Sequence, residues 1–343
     1  MNQLFIMKLR QVFLFFFRLI LLPFLIVVPL VNQAGKHPVK PIPILMDGVY
    51  LFGTPIADPQ GNFIGVTIPL KRVGRLLLLE GTIDNVIGNF ILDTGSSGLV
   101  LNKTYFRNYI LIEDEEGGGV TGSTGIIARV NVKRLAVAGL IYTNIPADVT
   151  PLGHLENRRG VKILGLFGMS LLKNLEIVID SRNSELQLYK LDKDGNRVGT
   201  PAPEVKFDIT HKIEQFRNIM FVKASIGGKA LYFCLDTGAE SNVLSIDAPK
   251  QVLGTVSITR RSNLQGVGSD DGEVLFGTMN DFIMGNKKFS SMETILCSLK
   301  SLSNKYGYPV DGMLGYDFFT TGKIYINLVK KEMGICFKPE EKP

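Results

Sequence analysis

The chain of 343 residues is 45% hydrophobic and 20% charged, a balance that buries a sizeable core, excludes wholesale disorder and suits roughly two domains of about 150 residues each. Its net charge of +6 would suit a nucleic-acid binder, but Lys8, Arg10, Arg18, Lys36 and Lys40 all fall in the first 40 residues, where there is no acid. The remainder is close to neutral, too weak for the basic stripe that phosphate binding requires, and a nucleic-acid partner is therefore not expected.

Leu19 to Val31 is an apolar stretch behind Lys8, Arg10 and Arg18, followed by the small residue Ala34. Positive flank, short apolar core and small residue have the form of a secretory signal. With Arg18 snorkelling, Val12 to Val31 supplies about 20 residues, enough for one membrane-spanning helix. Residues 1–34 are thus a signal peptide or a membrane anchor by either reading. Both place the rest of the chain outside the cytoplasm, as an exported, periplasmic, cell-envelope or secreted protein. Residues 35–63 hold Pro38, Pro41 and Pro43 and read as a stalk and lead-in strand, because proline fixes φ and removes backbone donors.

From residue 64, short runs of Val, Ile, Leu and Phe are broken by Gly, Asn and Asp at intervals of about ten, which predicts many short strands and a mostly β class. The polar stretch Asp192 to Pro203 is the natural linker. It divides the body into 64–191 and 204–338, with 339–343 as a tail.

Those two parts are copies of one unit. Asn89 to Asn102 reads NFILDTGSSGLVLN and Tyr232 to Ser245 reads YFCLDTGAESNVLS, identical at seven of fourteen positions. A hairpin signal precedes each: Thr82-Ile-Asp-Asn-Val-Ile-Gly-Asn in the first and Ile226-Gly-Gly-Lys in the second, where Gly-Gly suits a two-residue turn. Downstream, Gly165-Leu-Phe-Gly168 answers Gly312-Met-Leu-Gly315. Ile177 and Ile179 then answer Ile324 and Ile326, and Asp180 answers Asn327. Ile163-Leu-Gly also fits the apolar-apolar-Gly pattern, but the register of the following strand favours Gly168.

An apolar strand that ends in Asp-Thr-Gly delivers a carboxylate to a chain turn whose glycine permits the tight backbone, leaving the Thr hydroxyl free to bond a neighbouring strand. Two such turns about a pseudo-twofold axis would set Asp93 beside Asp236. Carboxylates about 3 Å apart cannot both ionise, so one would act as base on a water while the other acts as acid toward a carbonyl.

Both copies of hydrophobic-Asp-Thr-Gly followed by apolar-apolar-Gly resemble the signature of aspartic proteases. The resemblance covers residues 64–338, and the 143-position separation of the two Asp is similar to that in bacterial proteins that fuse two retropepsin-like domains in one chain. It implies a bilobal acid-protease-like fold of two duplicated β-barrel lobes with pseudo-twofold symmetry. It further implies an aspartic endopeptidase with Asp93 and Asp236 as the dyad. Thr94, Gly95, Ser96 and Thr237, Gly238, Ala239 would build the two turns, the paired threonines locking them together. Gly168 and Gly315 would thread the supporting loops. Glycine-rich hairpins that cover the cleft in such enzymes have candidates at 117–125, with Gly122 and Gly125, and at 266–272, with Gly266 and Gly268. The substrate would be an extended polypeptide, and since one chain holds both halves, a monomer would suffice. A silent peptide-binding module of the same fold is the alternative.

Ser96 has no hydroxyl counterpart at Ala239, and a hydroxyl there could bond the outer carboxylate oxygen, so its loss should raise the pair's pKa. Glu240 is expected as a solvated loop charge, as is the Glu-Asp-Glu-Glu run at 113–116. Cys234 should be a buried inert thiol, and Cys297 and Cys336 could pair in an oxidising compartment. His37, His154 and His211 share no metal-ligand spacing with the cysteines, so neither metal nor cofactor is expected.

Overall fold

A computed structural model describes residues 58–109, 111–119, 122–199, 205–216, 218–263, 273–300, 302–303 and 307–337. The expected signal or anchor, most of the stalk, the tail, and Gly266 and Gly268 lie outside these residues. Among the described residues strands dominate, as the short apolar runs predict, and they form three sheets of eight, ten and six strands.

The eight-stranded sheet belongs to the first half of the body and the ten-stranded sheet to the second. Each is built on the same hairpin. Leu76–Ile83 and Ile219–Ile226 bury the same positions, the alternation breaking into a run of buried residues where the strand enters the core. Each is turned by two residues at positive φ, Asp84 and Asn85 in one copy and Gly227 and Gly228 in the other, the left-handed pair that a tight hairpin demands. The returning strands, Val86–Leu92 and Lys229–Leu235, end in three consecutive buried residues and run directly into the two Asp-Thr-Gly turns.

Behind each turn a third strand is threaded. Ile163–Phe167 lies parallel to Val86–Leu92, pairing Leu92 with Phe167, and antiparallel to Leu99–Asn102 on its other side. Gly312–Leu314 does the same between Lys229–Leu235 and Asn242–Ser245, pairing Leu235 with Leu314. Glycine is required at this crossing: a Cβ on Gly165 would stand 1.9 Å from the Val100 carbonyl oxygen, and backbone clamped on both sides cannot move away. Gly165→Ala is expected to lower unfolding free energy by about 3 kcal/mol or more. A urea midpoint unchanged by the substitution would show that the crossing is not clamped.

The six-stranded sheet joins the halves, each of which gives three strands: Gly65–Pro69, Leu175–Asp180 and Glu185–Lys190 from the first, and Ile209–Lys212, Gly322–Asn327 and Glu332–Phe337 from the second. At its centre Ile177 faces Ile326, Val178 faces Tyr325 and Ile179 faces Ile324. Residues equivalent by sequence thus pair with each other's counterparts, which is the signature of a pseudo-twofold axis passing between Val178 and Tyr325.

The described part of the linker is packed down: Arg197 pairs with Glu176 at 2.5 Å, lies over the Tyr189 ring, and is nearly buried at its side chain. The amphipathic arginine stem finds cover that a polar reading of the stretch misses. Cys297 and Cys336 are both free thiols; Cys297 is buried in an apolar cluster of the second half, whereas Cys336 lies on the joining sheet with its thiol toward the Lys206 carbonyl. Cys234 is free and fully buried.

Candidate active site

The two Asp-Thr-Gly turns meet on the pseudo-twofold axis and are bound to each other by four reciprocal hydrogen bonds. The Thr94 N–H donates to Thr237 Oγ1 and the Thr237 N–H to Thr94 Oγ1, both at 3.0 Å. The Thr94 hydroxyl donates to the Leu235 carbonyl at 2.9 Å, and the Thr237 hydroxyl to the Leu92 carbonyl at 2.7 Å. Each hydroxyl accepts one bond and donates another, so both threonines are satisfied although they are buried.

This lock sets each carboxyl over the opposite turn. A Cβ on Gly95 would stand 2.5 Å from Asp236 Cγ, and one on Gly238 would stand 2.7 Å from Asp93 Cγ. Glycine is needed there for close approach, since any side chain would displace the facing carboxyl. Within each turn the geometry repeats: the Gly95 N–H donates to Asp93 Oδ1 at 3.0 Å and the Gly238 N–H to Asp236 Oδ1 at 2.8 Å.

Asp93 and Asp236 are 2% and 0% exposed. Burial lifts the Asp93 carboxyl well above the ordinary range, and the facing Asp236 raises it further by charge and by hydrogen bonding, against the N–H groups of Gly95 and Ser96. Burial also lifts Asp236, to about 6, while the bond from Asp93 and the N–H groups of Gly238, Ala239 and Gly95 hold it down. Asp236 Oδ2 is buried and has no hydrogen-bond donor. A proton shared with the facing Asp93 carboxyl would supply that donor, and two buried carboxyls this close disfavour ionisation of both.

Gly168 and Gly315 lie directly behind the turns. A Cβ on Gly168 would meet the Gly98 carbonyl oxygen at 2.1 Å, and one on Gly315 the Ala239 and Ser241 carbonyl oxygens at 2.6 Å. Beside them the Met169 N–H donates to the Ser96 carbonyl and the Tyr316 N–H to the Ala239 carbonyl, both at 2.9 Å. The Asp93 and Asp236 N–H groups bond the carbonyls of Phe167 and Leu314.

Two expectations about the turns are corrected. The Ser96 hydroxyl donates to the Gly98 carbonyl at 3.0 Å, not to the carboxyl of Asp93. Positions 96 and 239 act on the carboxyls through their backbone N–H groups, so Ser and Ala there are electrostatically alike, and the pair is raised first by burial and, at Asp93, also by the facing Asp236. Glu240 is no solvated charge: it is 7% exposed and forms an ion pair with Arg159, the last residue of the helix Gly153–Arg159. Burial of a charge demands a partner, and the arginine comes from the other half of the chain, where no local pattern reveals it.

Gly122 and Gly125 fall in an antiparallel hairpin of Leu111–Gly119 with Gly122–Val137, pairing with Gly119 and Gly117. In the second half Val256–Asn263 and Glu273–Met279 form the matching hairpin. Among the described residues no group of three or more His, Cys, Asp or Glu side chains is arranged to hold a metal ion.

Three contributors were missed in the sequence. Arg75 donates to the Glu240 carbonyl, to Asp317 and to Glu293 across the boundary between halves, and Arg159 reaches Glu240; neither stands in a motif. Asn242 accepts from the Gly315 N–H and donates to the Glu293 carbonyl, each at 2.9 Å. It did leave a signal, a polar residue where the first repeat has Leu99.

A family model described as aspartyl protease matches residues 79–171, which hold the Asp93 turn and the strand threaded behind it. No curated protein matches. Among solved structures, the chain is similar to an aspartic proteinase from Irpex lacteus (12% identity, 80% of this chain and 97% of that one, TM-score 0.47). It is similar to basic 7S globulin from soybean (8% identity, 79% and 94%, TM-score 0.45). It is also similar to a retropepsin-like aspartic protease from Rickettsia conorii (22% identity, 37% and 90%, TM-score 0.26). The architecture is mostly β with two duplicated halves, as the sequence leads one to expect, and a six-stranded sheet joins them.

Proposed function

We propose that the protein is an aspartic endopeptidase in which Asp93 and Asp236 share one proton and hydrolyse peptide bonds through an activated water. One observation carries the reading: two buried carboxyls, delivered by duplicated turns, each lie against the other turn's glycine. Such a pair is costly to keep in a fold that uses it for nothing. Asp236, the charged member, takes a proton from water as the water attacks the carbonyl carbon. Asp93, the protonated member, gives its proton to the carbonyl oxygen, so the pair leaves the step with the proton exchanged between its members. The substrate lies extended between the halves, bonding by its backbone, and one chain suffices for activity. The N-terminal apolar segment would direct the protein out of the cytoplasm.

The test is cleavage of a mixed peptide library by residues 35–343 across pH 3 to 8. Because burial lifts Asp236 to about 6, protonating it removes the base. The rate is expected to fall as pH drops through about 6, to peak above it, and to decline again at the higher pH where Asp93 loses its proton. An acid limb below about pH 4 would contradict the assignment of Asp236 as a buried base. Absence of any cleavage by folded protein would favour the peptide-binding alternative.

A further inference from the structure

The two turns are equivalent in backbone but not in what holds them. Ser97 follows the first turn and Glu240 occupies the same place after the second. Around Glu240 the first half sends two arginines across the boundary. Arg159 pairs with its carboxylate, both side chains less than a tenth exposed, and Arg75 donates to its carbonyl at 3.3 Å while also pairing with Asp317 and Glu293. Arg159 springs from a fixed base. Its helix is closed by Gly160 in the left-handed conformation, with the Gly160 N–H on the Glu156 carbonyl. Glu156 in turn accepts from the Asn102 amide and the Ile163 N–H, tying the helix to the strand threaded behind Asp93. The support of the first turn is therefore mechanically continuous with the grip on the second.

We propose that Arg159 and Glu240 are positioning residues for Asp236: their buried ion pair clamps the chain just after the second turn and keeps the Asp236 carboxyl seated over Gly95. This rests on the aspartic-peptidase reading given above. The Asp93 turn has Ser97 at the equivalent place, so the clamp makes the two aspartates inequivalent. Loss of the clamp loosens the base and leaves peptide binding along the rest of the cleft in place.

The experiment compares wild type, Arg159→Met, Glu240→Gln and the swapped double variant Arg159→Glu/Glu240→Arg. Its readouts are kcat and KM on a cleaved peptide, and amide hydrogen exchange at 236–241 against 93–98. Each single variant is expected to lower kcat about 10- to 100-fold with KM within about twofold. Exchange at 236–241 should rise about tenfold while 93–98 stays protected. The swap should bring both readouts back to within about threefold of wild type. Unchanged kcat, or equal loosening of both turns, would overturn the proposal. Should a single variant not fold, the swap and Arg159→Lys carry the same comparison. A wild type that cleaves no peptide defeats the peptidase reading, whereas the exchange contrast between the two turns still decides the clamp.

Discussion

Replacing Asp236 by Asn is expected to cut peptide hydrolysis by about 10³-fold or more, since the amide cannot accept the proton of the attacking water. The same substitution should stabilise the fold near neutral pH. Burial raises the folded-state pKa of Asp236 from 3.8 to about 6. Below about pH 4 the carboxyl is protonated in both folded and unfolded chains and costs nothing. As pH rises toward 6 the unfolded chain releases its proton first, so stability is lost; above that the deficit levels off on the order of 3 kcal/mol. Asn carries no charge at any pH and escapes this penalty. Urea unfolding at pH 4.5 and 7.5 should therefore show the variant gaining on wild type mainly at the higher pH, while peptide cleavage disappears at both. Residual cleavage within tenfold of wild type would remove Asp236 from the chemistry. A variant destabilised at pH 7.5 would show that the carboxylate is a structural ion and no shared-proton partner.

What the sequence disclosed and what it hid divide along one physical line. The hairpins, the strand delivered to each turn and the glycines of the crossing are fixed by local backbone needs, which recur in both repeats: Asp84-Asn85 and Gly227-Gly228 take the left-handed turn, and Gly168 and Gly315 sit where a Cβ would strike a carbonyl oxygen. Such needs are written in adjacent residues and are read twice. Contacts across the pseudo-twofold axis are written in residues far apart, and where the repeats have diverged the symmetry gives no help. Glu240 and Arg159 are 81 positions apart in the chain, and an acid in a polar run gives no sign that a partner will reach it. The hydroxyl of Ser96 shows the same limit at short range, for Gly98 competes successfully with the carboxyl for it.

The lock between the turns supplies the second large effect. Thr94→Val keeps the volume of the side chain but removes the hydroxyl that accepts from the Thr237 N–H and donates to the Leu235 carbonyl. Both groups are buried at the meeting of the two halves, where no loop can swing in to replace the lost partner. Leaving each unsatisfied costs about 1 to 3 kcal/mol, so a loss on the order of 2 to 6 kcal/mol is expected. Thr94→Ser, which retains the hydroxyl, should keep most of the stability. Thr94→Val/Thr237→Val should cost less than twice the single variant, because the two hydroxyls serve one connected set of bonds. The effect on chemistry is argued separately. Asp236 is held in place partly by its contact with Gly95, so parting the turns by even a fraction of an ångström moves the carboxyl off its neighbour and weakens the shared proton. Activity should therefore fall in Thr94→Val at temperatures well below its melting point. Full activity of the folded variant would mean that the dyad is aligned by the threaded strands alone, with the threonines serving only to hold the halves together.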